Sequence, residues 1–191
     1  MLESIITILI STILVNNYVF AQFLGICPFL GVSSKTETAL GMGVAVTFVV
    51  VLASAITWLI QRFVLDKFGL EYLQTIAFIL VIASLVQAVE TVMKKNMPSL
   101  YGALGVFLPL ITTNCVVLGV AIKTITNSYN LLETIVYALS SSVGFMLAMM
   151  ILAYLRERIA GSDTPEAFKG APMSLITLGL MSIAFMGFAG L

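Results

Sequence analysis

The chain has 191 residues, 60% of them hydrophobic, with nine basic and nine acidic side chains and a formal net charge of zero. Charged residues make up 9%, against about 25% in soluble domains, and mean hydropathy is +1.12, so water is excluded as the main solvent and nucleic acid has no electrostatic footing. Histidine is absent, which removes bis-His haem, imidazole proton relays and most zinc chemistry.

Crossing ~30 Å of hydrocarbon takes about 20 helical residues, and six uncharged runs meet or approach that length. The first, 4–34, follows "MLES", which has no basic n-region, so a retained span is expected rather than a cleaved signal peptide. It contains Asn16-Asn17 and then Gly25, Pro28 and Gly31. The second run, 38–61, opens on Gly41, Gly43 and Ala45, small residues that let helices approach closely. The third, 72–89, is followed by Glu90 with Lys94 four residues on, the spacing of an interfacial helical ion pair. The fourth, 96–122, holds Gly102, Gly105, Pro109, the triplet Thr112-Thr113-Asn114 and Gly119. The fifth, 134–155, carries Met146, Met149 and Met150, read as packing residues. The sixth, 170–191, ends the sequence. The expected fold is an all-α integral membrane protein with six transmembrane helices, one membrane domain over 1–191 and no soluble domain. The loops are expected at 34–37, 61–71, 90–95, 123–133 and 156–169, which puts Arg62, Lys67, Lys94, Lys95, Lys123, Arg156 and Arg158 in loops.

Length and punctuation argue that two of these spans are discontinuous. Unbroken helices over 4–34 or 96–122 would be roughly 40–46 Å long, well beyond the hydrocarbon thickness. Proline and the residue before it disfavour continued helix, and backbone freed at membrane depth must be satisfied inside the protein or by a ligand. Spans 1 and 4 are therefore expected to break near their glycines and prolines.

A repeat links those two spans. Cys27, Leu30, Gly31, Val32, Lys35, Thr36 and Thr38 recur 88 positions later as Cys115, Leu118, Gly119, Val120, Lys123, Thr124 and Thr126. The shared pattern C-x-x-L-G-V-x-x-K-T-x-T includes the only two cysteines of the chain, which hydrophobicity alone does not explain. Each copy follows the first span of a three-span unit, so the units, about 1–95 and 96–191, are expected as inverted repeats about an axis in the membrane plane. With six spans both termini share a side. Arg62, Lys67 and Lys123 fall on that side, and Lys35, Lys94, Lys95, Arg156, Arg158 and Lys169 on the other. The positive-inside rule then puts both termini outside the cytoplasm.

The cysteines admit three readings. They are inert thiols packed as small hydrophobes, or soft thiolate ligands for iron beside half-helix N-termini that favour negative charge, or a structural disulfide, which sits oddly at mid-membrane. An iron–sulfur cluster needs four such ligands and the chain has two cysteines, so the second reading requires a partner polypeptide. Asn16, Asn17, Thr112, Thr113 and Asn114 are candidates to bond unwound backbone, or to glue helices together. Nothing resembles a nicotinamide or flavin motif.

The stretches "NNYVFAQFLGICPFLGVS" (16–33) and "LPLITTNCVVLGV" (108–120) closely resemble the A-type membrane subunits of the Rnf complexes, bacterial ion-translocating ferredoxin:NAD oxidoreductases, and the resemblance extends over essentially the whole chain. A more distant likeness links it to the homologous D-type and E-type subunits of the sodium-translocating NADH:quinone oxidoreductase. The resemblance implies a six-span inverted repeat in the bacterial cytoplasmic membrane. It also implies a [2Fe–2S] cluster at mid-membrane, shared with the homologous E-type subunit. Cys27 and Cys115 would be its two ligands from this chain, and electron flow would be coupled to export of Na⁺ or H⁺. The alternatives are the quinone-reducing sister complex, or an inverted-repeat secondary transporter in which the cysteines are incidental.

Overall fold

The computed structural model describes residues 2–69, 71–96, 108–163 and 165–190, and within these every regular element is helical. The first run breaks as expected. Helix α1 (Leu2–Ile10) passes into a π turn (Ser11–Val15), residues 16–25 are non-helical, and a half-helix α2 (Ile26–Val32) resumes. The second half is built alike: α5 (Leu108–Thr112) stops, and α6 (Cys115–Thr126) starts after a two-residue gap. Gly102 and Gly105 lie outside the described residues.

Between and after these stand the long helices: α3 (Thr36–Ile60), continued by a π turn over Gln61–Leu65, α4 (Gln74–Asn96), α7 (Leu131–Ala160) and α8 (Ala171–Met186). Among the described residues four segments are long and apolar enough to cross a membrane: Thr36–Leu65, Gln74–Val92, Pro109–Thr126 and Leu131–Ala160. Two further apolar helices, Ile6–Val15 and Ala171–Met186, are shorter. The starts carry recognisable local chemistry. α7 opens on a capping box in which the Asn130 side chain and Glu133 exchange hydrogen bonds with each other's backbone N–H, satisfying donors that a helix start leaves orphaned. α8 has proline in its first turn, where the missing N–H costs nothing.

The core is the crossing of α3 with α7, flanked by α6 on α3 and by α1 on α7. Gly43 of α3 is the close-approach point, since a Cβ there would lie 2.7 Å from Met146 Cγ; the small residues of "GMGVA" and the methionines of α7 pack against one another. The two long helices also repeat each other's burial. All nine buried positions of α3, from Ala39 to Thr57, have a buried counterpart 95 residues later on α7, from Thr134 to Leu152. The offset grows from 88 at the cysteines to 95 here because α6 runs on to Thr126, about two turns farther than α2 would in register.

The helix ends differ from the sequence expectation. Arg62, Lys67, Lys94, Lys95, Lys123, Arg156 and Arg158 are all helical and not in loops. Long basic side chains reach back to the interface from a helix that extends past the hydrocarbon, so charge marks the membrane edge and not the helix end. Glu90 and Lys94 accordingly sit one turn apart on α4.

At one end of the bundle, α7 clamps the α2–α3 junction. Arg156 Nη1 donates to Leu30 O (2.9 Å) and Ser33 Oγ (2.7 Å), and Glu157 Oε1 accepts from Thr36 N (2.7 Å). A cation thus sits at a helix C-terminus and a carboxylate at a helix N-terminus, each complementing the helix dipole.

Candidate functional site

Both cysteines stand in the first turn of a half-helix that follows a break. Cys27 is the second residue of α2 and Cys115 the first of α6. Both thiols are free and exposed, so neither is packed in the core as a small hydrophobe. Each sits at the positive end of its half-helix, among first-turn N–H groups that lack intrahelical partners, a setting that suits a negatively charged sulfur ligand.

The breaks are made differently. In the first, Asn17 is buried and fully used: its Nδ2 donates to Gly144 O (2.8 Å) and Ile13 O (3.1 Å), while Oδ1 accepts from Val19 N (3.0 Å). It therefore bonds the unwound backbone to α7, one of the two roles expected of the "NN" pair. Gly25 closes this break at φ +79°, a left-handed conformation that favours glycine. In the second, Asn114 is the N-cap of α6. Its Oδ1 accepts from Val116 N (3.0 Å), the usual service of an asparagine at that position.

These two breaks meet. A Cβ on Gly25 would lie 2.7 Å from Val116 Cγ2, 2.9 Å from Phe145 Cε2 and 3.2 Å from Asn114 Oδ1. Cys27 is two residues beyond Gly25, and Cys115 lies between Asn114 and Val116, so the contact that joins the halves is flanked by both thiols. The packing around it is close to reciprocal. Gly31 of α2 faces Leu110 of α5, while Gly119, its counterpart in α6, faces Leu24 and Tyr18 of the first break.

The donor set suits half of a four-thiolate iron–sulfur centre. Among the described residues no group of three or more Cys, His, Asp or Glu side chains comes together, so two exposed thiols are what the chain brings. Asn114, which precedes Cys115 in the chain and meets Gly25 across the break, adds a donor to this region: it is 3% exposed, and its Nδ2 has no hydrogen-bond partner. A buried N–H next to a thiolate suits an anionic, sulfur-ligated group.

Other features here had no strong signal in the sequence. Phe23, beside the first cysteine, has φ +54° and is 54% exposed, a left-handed backbone rarely taken by a bulky residue. Tyr18 and Tyr137 join hydroxyls at 2.9 Å in the interior, each giving the other a partner that burial in an apolar core requires. A tyrosine in an apolar run is all that the sequence displays; the pairing depends on α7 crossing the first break.

A helical membrane protein in which two broken helices present one thiol each is a defined class. A family profile described as "Rnf-Nqr subunit, membrane protein" matches residues 5–191, and the chain belongs to that family. It is 60% identical over 188 residues, covering 98% of both chains, to an Acetobacterium woodii protein named as the A subunit of the Na(+)-translocating ferredoxin:NAD(+) oxidoreductase complex. It is 57% identical over 190 residues to a Syntrophotalea carbinolica protein named as the A subunit of the ion-translocating oxidoreductase complex, covering 100% of this chain and 98% of the other. A Vibrio parahaemolyticus protein of the same name is 54% identical over 186 residues, with 97% of each chain covered.

Proposed function

We propose that this chain is a membrane subunit of an ion-translocating electron-transport complex that passes electrons from ferredoxin to NAD⁺ and couples them to export of Na⁺ or H⁺. In this reading Cys27 and Cys115 are two of four thiolate ligands of a mid-membrane [2Fe–2S] centre, and a homologous, E-type membrane subunit brings the other two. The observation that carries it is the meeting of the two breaks at Gly25, Asn114 and Val116, with an exposed thiol on either side.

When bound, such a centre supplies one-electron chemistry at a depth where no side chain of this chain does so. The residues themselves do three things. The half-helix N-termini offset the negative charge of the sulfur ligands, Asn114 Nδ2 offers an N–H beside them, and Asn17 keeps the unwound backbone satisfied without water. The matched burial of α3 and α7 and the near-reciprocal glycine contacts support a six-span inverted repeat in two units of about 1–95 and 96–191, with α1–α2 and α8 as the outer spans. We assign the chain to the bacterial inner membrane, with both termini extracytoplasmic, on the distribution of Lys and Arg. The names of the relatives favour the ferredoxin:NAD branch over the quinone-reducing one.

The test is to co-express the chain with its membrane partner and compare iron content and the reduced-state EPR signal with those of Cys27→Ser and Cys115→Ser. Loss of the signal in each variant is expected. A full-intensity [2Fe–2S] signal in both variants overturns the ligand assignment. A colourless, iron-free wild-type pair would favour the secondary transporter with incidental cysteines.

A further inference from the structure

We propose that the chain holds a site for a monovalent cation of the Na⁺ or Li⁺ type where the end of α3 meets the α6–α7 turn, with Gln61 Oε1 as its principal oxygen and the Asp66 carboxylate, which orients that amide, as its counter-charge. A cavity of about 300 Å³ lies there, lined by Trp58, Gln61, Asp66, Thr124, Ser128 and Tyr129 among others.

Laid on each other, the two halves differ at this point. In the register that matches the burial of α3 to that of α7, Gln61 takes the place of Arg156. Arg156 is a built-in cation: its guanidinium bonds Leu30 O and Ser33 Oγ at the C-terminal end of α2. Its counterpart Gln61 is neutral and shares its cavity with Thr124, Ile125 and Ser128, at the C-terminal end of α6. That end carries the negative partial charge of a twelve-residue helix and favours a cation. One half fills this position with a guanidinium; the other places a neutral amide there, with the exposed Arg62 next to it on the cavity wall.

Gln61 is built for that. It is 6% exposed, and its Nε2 donates to Asp66 Oδ1 at 2.8 Å. A carboxylate only accepts, so the amide cannot be turned round. Oε1 is thereby left facing away from Asp66, buried and without a hydrogen-bond partner. An unsatisfied buried acceptor costs free energy, and a cation removes that cost.

Nearby oxygens present lone pairs and not protons. Thr124 Oγ1 donates to Ala121 O (2.8 Å) and Thr57 Oγ1 to Ala53 O (2.7 Å), so the hydrogen of each hydroxyl is committed to backbone. Ser54, Thr57 and Gln61 follow at i, i+3 and i+7, one face of α3. Ser54 Oγ, and Thr134 Oγ1 on the facing helix α7, are also buried without partners. The oxygen-rich face therefore continues inward from the cavity.

Charge selects the valence. Among the described residues Asp66 is the one carboxylate at the cavity, and Arg62, itself exposed, also lines it and offsets part of that charge, which disfavours an ion of higher valence. Lys123, on α6, lines a different cavity with Asn16 and Tyr137. Ca²⁺ draws on a larger shell of oxygens and Mg²⁺ keeps several of its waters; one carboxylate already offset by Arg62, an amide oxygen and hydroxyls fit a hard monovalent ion. The site deepens the ion-coupling part of the proposed function and rests on it only for the idea that the bound ion is cargo. Binding itself does not involve the cysteines.

Trp58 is the only tryptophan of the chain; it lines the cavity with its Nε1 bonded to Tyr129 O at 2.8 Å, and so reports on the site. The experiment is to titrate the full-length purified chain in detergent with NaCl against N-methylglucamine chloride at constant ionic strength, following Trp58 emission. A saturable Na⁺-specific change is expected. It should move to concentrations about tenfold higher or more in Gln61→Leu and Asp66→Asn, move lower in Gln61→Glu, and vanish in Gln61→Arg, which restores the fixed cation of the other half. Opposite shifts in Gln61→Glu and Gln61→Leu separate ion binding from misfolding. A wild-type chain that responds to Mg²⁺ but not Na⁺, or equal Na⁺ midpoints in wild type and Gln61→Leu, overturns the site. Because Cys27→Ser and Cys115→Ser should leave this titration unchanged, its failure is distinguishable from failure of the cluster assignment.

Discussion

The break before Cys27 and the break before Cys115 carry the same twelve-residue pattern and reach the same local result, a cysteine in the first turn of a half-helix, by different means. The first spends residues 16–25 on it. It satisfies that unwound stretch through Asn17, which ties it to Gly144 of α7, and starts its half-helix from a left-handed glycine without a side-chain cap. The second interrupts the helix only at residues 113 and 114 and caps α6 directly with Asn114. The motif thus specifies where the thiol goes, while the support beneath it is set by what each break packs against. The long break bonds part of its backbone within itself, Ala21 N to Asn17 O and Leu24 N to Tyr18 O. It needs the Asn17 side chain for groups such as Val19 N that those turns leave over; the short one leaves few groups to satisfy.

Substitutions at the two breaks should therefore separate. Gly25→Ala should be the most damaging. It imposes a left-handed φ on a Cβ-bearing residue and drives that Cβ into Val116 and Phe145, together costing about 2–5 kcal/mol. The chain should fail to accumulate or should melt far below wild type, as followed by circular dichroism in detergent, and a wild-type melting curve would break the claim that the halves are locked here. Asn17→Ala comes next: it strands Val19 N and removes the tie to Gly144 O of α7, at about 2–4 kcal/mol, read from the same melting curves. Asn114→Ala should cost only about 1 kcal/mol, the usual worth of an N-cap. Asn114→Asp keeps the accepting oxygen and should stay within about 0.5 kcal/mol of wild type, so any change in the EPR signal of the assembled pair would then report the lost N–H. Gly31→Ala should have the smallest effect on stability among the truncations and additions, about 0.5–1 kcal/mol, because the atom it meets, Leu110 Cδ1 at 3.1 Å, is the mobile end of a side chain. If Asn114→Ala proved as harmful as Asn17→Ala, the two breaks would be supported alike and the contrast would fall.

Much of the fold and half of the site are legible in the residues alone, for identifiable reasons. Hydropathy marks a membrane chain because the bilayer demands long apolar runs. The breaks in spans 1 and 4 are visible because uninterrupted helices there would be too long and because proline and glycine sit inside them. Family membership follows from the cysteine motifs. Helix ends around Arg62, Lys94 and Arg156 are not legible, since nothing in composition separates a basic residue at the end of a helix from one in a loop. Nor is the cavity at Gln61, which in the sequence is no more than the close of an apolar run.

By itself the sequence determined the solvent, the class of fold, the repeat and the two thiols, because each is written in local composition or in residues a fixed distance apart. Only the tertiary structure decided that Gly25 meets Val116, that Asn17 is spent on α7 while Asn114 is spent on its own helix, and that the buried Gln61 shares a cavity with the end of α6. Those outcomes depend on which helices cross and at what register, and the close packing of α3 on α7 fixes both at once.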